Sequence, residues 1–199
     1  MDRLFYEIPT INRKEDAIDY IKEHLEYNSP INGTGGLNRY IDDYEGWLKK
    51  LDNDLVSAED EARVPAKTFF LVRESDNKIV GMINIRLKLN KFLEESGAGH
   101  IGYGIRPTER RKGYNKINLY LGLLELQKVG VKEAMLGCYQ DNPGSYKTME
   151  ALGAKLLREG KYNDKDEYVY TIDVDDSINK YKDVYEPMIK NKEVIQWKH

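Results

Sequence analysis

The sequence predicts one mixed α/β domain, helices flanking a central and mostly antiparallel sheet. Two observations carry that reading. The 199 residues are the size of one ordinary domain, and 40% of them are hydrophobic, enough for a single sizeable core. Helical spacing of apolar residues also opens the chain, gives way to β-branched and aromatic runs, and then alternates with them.

In residues 14–27, Ala17, Ile18, Ile21 and Leu25 recur at helical spacing, with Glu15 and Asp16 early, where the helix dipole favours acids. Pro30 and the glycines of residues 29–36 then demand a loop. Leu37, Tyr40, Ile41, Tyr44, Leu48 and Leu51 trace one face of an expected second helix, and the acidic stretch 53–65 is expected to be a solvated connection. Residues 67–73 and 79–89 form an expected hairpin around the turn pair Asp76-Asn77. A third strand is expected over 100–106, ended by Pro107, then a helix over 114–129 with Gly130 as its left-handed cap. Residues 134–139 read as a strand. Asn142 and Pro143 suit the cap and first turn of a short helix ending before Gly153. Residues 156–158 and 168–172 form an expected closing hairpin. The tail 173–199 has helical signal only around 178–185 and is set apart as an extension of a domain spanning 1–172.

Thirty-one basic and 34 acidic residues give a net charge of −3, without the basic excess that phosphate-backbone binding requires, so nucleic acid is not expected as a partner. No apolar run approaches the roughly 20 residues of a membrane span. A lone cysteine, Cys138, and the polar start Met1-Asp2-Arg3 lead to an expected cytoplasmic location. The composition is also rich in tyrosine, 15 against 4 phenylalanines, which places many hydroxyls at half-buried positions. Neither a His-Glu-x-x-His nor a Cys-x-x-Cys motif is present, and the acidic run 173–176 lacks the glycine and terminal Glu of a calcium loop, so no metal is expected.

The stretch that carries chemistry is Gly99-His-Ile-Gly-Tyr-Gly-Ile-Arg-Pro-Thr-Glu-Arg-Arg-Lys-Gly-Tyr-Asn115. It reads as a strand, a turn dense in cations, and the start of an amphipathic helix. Such a turn offers backbone N–H groups at the positive end of the helix dipole, a site for a diphosphate. Gly113 admits a positive φ and close approach of a ligand, and Arg110, Arg111 and Lys112 can add charge-assisted contacts.

Arg110-Arg-Lys-Gly113-Tyr-Asn115 resembles the acetyl-CoA signature of the GNAT family of N-acetyltransferases, with Asn115 departing from the family's small final residue. Asn142-Pro-Gly-Ser145, followed by Leu152-Gly153, resembles the family's second element, and residues 68–172 fit its order of elements. The resemblance implies a GNAT-type sheet in which the strands at 100–106 and 134–139 are parallel neighbours that splay. It further implies direct transfer of acetyl from acetyl-CoA, as cosubstrate, to a primary amine of a small molecule or protein. Tyr114 and Asn115 join the cradle through their main chain, the pantetheine arm lies on an unpaired strand edge near Ile105, and Asn142 and Ser145 hold its other side. Asn142 is equally suited to plain helix capping. Dimers are common in such proteins.

His100 is the candidate base, since an amine with a pKa near about 10.4 must lose a proton before attack; a structural histidine bonded within the sheet is the competing role. His24 and His199 read as surface residues. The phenol that many relatives use as general acid aligns with Met149, which leaves Tyr146, one turn earlier, as substitute or as core packing. Cys138 lacks a partnering His or Asp nearby and reads as an inert thiol. The acceptor is expected between the loop 29–36, the second helix and the loop 160–166, where Asp42, Asp43 and Glu94 would favour a cationic amine if they act as more than solvated surface. Met149 also admits a non-catalytic acyl-CoA sensor. A nucleotide-binding module lacks its Gly-x-x-x-x-Gly-Lys-Ser/Thr pattern.

Overall fold

The structure is a computed structural model that describes residues 2–56 and 63–190. Among the described residues seven strands form two sheets. The first has the order β1 (Leu4–Glu7), β2 (Ala66–Arg73), β3 (Ile79–Arg86), β4 (Ile101–Ile105); the second has β5 (Glu133–Tyr139), β7 (Lys165–Asp173), β6 (Lys155–Tyr162). Every pairing within a sheet is antiparallel.

β2 and β3 are buried on both faces, so they read as nearly continuous apolar runs. Phe70, Val72, Ile79 and Met82 point to one side, where helices α1 (Lys14–Glu26) and α2 (Tyr44–Val56) bury Tyr20, Ile21, Trp47 and Leu51. Phe69, Leu71, Ile83 and Ile85 point to the other, against α4 (Tyr114–Lys128), which follows a short α3 (Lys91–Glu95) earlier in the chain. α4 is buried on nearly every side, since α5 (Pro143–Ala151) and α6 (Val174–Tyr185) also lie on the same core. Among the described residues no helix is long and apolar enough to cross a membrane.

The mixed class and the strand–helix alternation stand as expected; four local features differ. The expected second helix is broken: Leu37–Arg39 form a single 3-10 turn and α2 starts at Tyr44. Asp43 sets that start, its side chain accepting from the Gly46 N–H at 2.9 Å and its carbonyl from the Trp47 N–H at 3.1 Å. Leu37, Tyr44, Trp47 and Leu51 are nonetheless buried together, so the apolar stripe reported burial and missed the kink. α2 runs on to Val56, into the expected connection, whose positions 57–62 lie outside the described residues.

His24, expected on the surface, is fully buried. Its Nδ1 lies 3.1 Å from the Pro30 carbonyl and burial holds its pKa down at about 4. His199 lies outside the described residues. β1 and α3 gave no sequence signal; each is too short to show a period.

The tail carries more order than its weak signal suggested. Asp173 caps α6 by accepting from the Asp176 N–H at 2.9 Å, and the buried Ser177 hydroxyl donates to the Leu152 carbonyl at 2.7 Å. Tyr185 packs its ring 5.2 Å from that of Tyr120 on α4.

The expected single sheet is divided between β4 and β5. They lie side by side, tied near their starts. The His100 N–H donates to the Met135 carbonyl at 2.7 Å and the Met135 N–H donates to His100 Nδ1 at 3.0 Å. Beyond that tie, β4 pairs only with β3 and β5 only with β7.

Candidate active site

The turn between β4 and α4 is built around Glu109, a buried acid at the end of the 3-10 turn Pro107–Glu109. Burial alone would raise its carboxyl, but hydrogen bonds from Arg73 at 2.6 Å and Lys112 at 2.7 Å outweigh that and hold its pKa at about 2. Anchored so, the chain passes Arg111 at φ +62° and Gly113 at φ +81° into the first turn of α4. A Cβ on Gly113 would meet nothing within 4 Å, so there is open space beside this residue at the start of α4.

The side chains of this turn divide. Lys112 is committed to Glu109, while the exposed Arg110 folds back, Nε donating to the Ile105 carbonyl at 3.1 Å and Nη2 to Ser29 Oγ at 2.5 Å. Arg111 stands exposed. Tyr114 is buried, its hydroxyl 3.2 Å from Arg73 Nη1. Asn115 turns inward toward α5, its Nδ2 3.4 Å from Thr148 Oγ1 and its buried Oδ1 without a partner.

Where β4 and β5 part, a cleft of about 960 Å³ opens. Tyr103 lines its β4 side and Cys138 and Tyr139 its β5 side, with Asn142 and Ser145 from the start of α5 and Met149 from its second half. Asn142 caps α5, its Oδ1 accepting from the Ser145 N–H at 3.2 Å. The Tyr103 hydroxyl reaches Ser145 Oγ at 3.0 Å, and burial raises its pKa well above that of a free phenol. Cys138 is likewise raised by burial. The loop 31–36 closes one wall. Gly33, at φ +72°, lies so close to β4 that a Cβ would sit 2.5 Å from the Tyr103 Cα and 2.6 Å from the Gly102 carbonyl. Lys49 and Lys50 from α2 and Tyr162 from β6 complete the mouth, in the region expected for the acceptor.

Two expected catalytic residues are placed elsewhere. His100 is buried at the tie between β4 and β5, not among the cleft residues, and Nδ1 is taken by the Met135 N–H. Burial, then the charge of Arg86, lowers its pKa to about 4, so the ring is neutral with its proton on Nε2. Tyr146 packs edge-on against Tyr168, ring centres 5.7 Å apart, also outside the cleft. Nor do Asp42, Asp43 and Glu94 line it.

Three residues lacked a distinctive sequence signal. Tyr103 sits inside the informative stretch but reads as one strand tyrosine among many. Glu167 on β7 is a buried acid lining the cleft; burial raises its pKa and Arg158, 3.5 Å away, opposes the rise. Arg86, at the end of β3, brings a half-buried guanidinium to the same space. Only the pairing of β5 with β7 and the folding of β3 beside β4 bring the last two to the cleft.

The Acetyltransferase (GNAT) family model matches residues 36–154, more than half of the chain. The chain belongs to the GNAT acetyltransferase family. It is an N-acetyltransferase of that family, whose cosubstrate is acetyl-CoA. No curated protein matches the sequence. Among solved structures, a GNAT-family acetyltransferase from Bacillus anthracis aligns at 18% identity and TM-score 0.60, over 88% of this chain and 99% of that one. The ribosomal-protein-S5-alanine acetyltransferase of Vibrio fischeri aligns at 17% and 0.60, over 86% and 93%. The microcin C7 self-immunity acetyltransferase, in complex with acetyl-CoA and AMP, aligns at 15% and 0.62, over 87% and 93%. At these identities the likeness is one of fold. This GNAT chain covers nearly the whole of each.

Proposed function

We propose that the protein transfers the acetyl group of acetyl-CoA directly to a primary amine held in the cleft between β4 and β5. The observation that carries this reading is the parting of β4 and β5 immediately before a glycine-capped helix N-terminus, with open space beside the capping Gly113. Main-chain N–H groups at Gly113, Tyr114 and Asn115 suit a diphosphate, with the exposed Arg111 beside them as a countercharge. The edge of β4 that faces β5 suits the pantetheine arm as an added strand. Arg110 and Lys112 support this turn from behind, and Asn142 orders the first turn of α5 opposite.

In the reaction the amine nitrogen bonds to the thioester carbonyl carbon, the carbon–sulfur bond breaks, and the amine proton leaves. Glu167 is the assigned proton acceptor, directly or through water: it lines the cleft and its raised pKa brings it nearer to that of a working base. Tyr103, joined to Ser145, is the assigned donor to the departing thiolate, in place of a phenol at Met149. His100 serves as the hinge pin of the two strands rather than as base.

Release of free thiol from acetyl-CoA over an amine panel, together with calorimetric titration of acetyl-CoA, tests the proposal. Turnover with binding supports it. Binding without turnover on any amine makes the protein an acyl-CoA sensor, the reading that Met149 allows, and absence of binding refutes the cradle.

A further inference from the structure

Resting on the transferase reading, we propose that the acceptor amine also carries an anionic group, a carboxylate or a phosphate, and that the Arg86 guanidinium holds it. The main chain of Arg86 is fixed by its N–H bond to the His100 carbonyl at 2.7 Å. Its Nη1 donates to the carbonyls of Ala98 at 3.0 Å and Gly99 at 2.9 Å. Those two bonds aim the fork and leave Nε and Nη2 without a partner among the described residues. No carboxylate among the described residues lies within ion-pair distance of it.

A cation taken partly out of water without a countercharge is costly. Burial lowers the pKa of Arg86, and Tyr162 across the cleft opposes that fall without supplying a carboxylate. The two acids among the described lining residues do not reach it, since Asp54 pairs with Lys50 and Glu167 with Arg158. Arg39 and Lys49, also in the lining, make no ion pair among the described residues. The cleft is therefore electropositive, the reverse of the cationic-acceptor expectation. A cleft-lining guanidinium whose Nε and Nη2 have no partner among the described residues matches a carboxylate or phosphate in bidentate fashion.

Position separates this charge from the cofactor's phosphates. β3 and β4 are antiparallel, with Ile85 opposite Ile101 and Gly81 opposite Ile105. Arg86 therefore stands beside the start of β4, whereas the turn at Gly113 follows its end, a strand length of roughly 13 Å away. The anion it awaits enters with the acceptor.

The test uses matched amines that differ in one anionic group: β-alanine against ethylamine, and O-phosphoethanolamine against ethanolamine, with spermidine as a polycation. Thiol release gives kcat/KM, and the rise in Tm in the presence of coenzyme A gives binding for any amine that is not turned over. In the wild-type protein the anionic member of at least one pair should exceed its partner tenfold or more in kcat/KM, or alone raise Tm, and the preferred arm tells carboxylate from phosphate. Arg86→Gln should erase the preference and Arg86→Lys should restore part of it. Equal response within both pairs, or preference for spermidine, in the wild-type protein overturns the proposal without recourse to any variant. If acetyl-CoA fails to bind in calorimetry while the pair preference persists in Tm, the transferase reading falls and the anion site stands.

Discussion

Replacing His100 by Gln separates the role of a strand tie from that of a base. The imidazole is 7% exposed, its Nδ1 accepts the Met135 N–H at 3.0 Å, and its pKa is held at about 4 against 6.5 for the free side chain. The folded-state pKa is depressed, so the unfolded chain binds the extra proton first as pH falls. The stabilisation is fully present above about pH 6.5 and is lost progressively toward pH 4. That difference corresponds to about 3 kcal/mol at the acid end. The variant should cost about 1 kcal/mol near pH 7, from the weakened tie. Between pH 6.5 and 4 its stability should fall less steeply than that of the wild-type protein. Urea unfolding at pH 7, 5.5 and 4.5 measures both. His24, buried with a pKa also near 4, keeps part of the slope in the variant. In parallel, kcat/KM against pH should retain its acid limb if Glu167 is the base as proposed. An acid limb that disappears in the variant, with the stability slope unchanged, would refute this reasoning and make His100 the base.

Other outcomes follow from the same geometry. Gly113→Trp should abolish acetyl-CoA binding in calorimetry while costing only about 1–2 kcal/mol of stability, since φ +81° strains an L-residue but its Cβ meets no neighbour. Tyr103→Phe should lower kcat by about 100-fold with little change in acetyl-CoA affinity, the low end of what a positioned proton donor contributes. Glu167→Gln should lower kcat/KM and shift the acid limb of its pH profile, whereas an unaltered profile would move proton acceptance to water alone. Tyr185→Ala should cost about 3 kcal/mol in urea unfolding, since this 7%-exposed ring packs on Tyr120 and ties the C-terminal helix to the core.

Much of the fold was legible because long elements leave a periodic trace. α1, α4 and the β2–β3 hairpin repeat their burial pattern over enough residues to be read directly. The break before α2 was not legible, because Leu37, Tyr40 and Ile41 join the same apolar cluster whether or not the backbone between them is helical. The cradle was legible for a local reason: Gly113, its flanking cations and the helix start are consecutive. The cleft was not, since its lining is assembled from β3, β4, β5, β6, β7, α2, α5 and the loop 31–36. The place of His100 outside the cleft lining was not legible, because a histidine on the right strand carries no mark of which way its ring is bonded. The Nδ1 contact with Met135 depends on where the crossover through α4 delivers β5. Asp42 and Asp43 misled similarly: nearness in sequence to the mouth did not give them a place in it, and Asp43 is spent on capping α2.

The most direct test of the central claim is the crystal structure of the full chain with acetyl-CoA. The diphosphate should lie on the main-chain N–H groups at Gly113–Asn115 and the thioester between β4 and β5, its sulfur beside the Tyr103 hydroxyl. Acetyl-CoA bound on another face, or density that leaves both the turn and the gap between the strands empty, would contradict it.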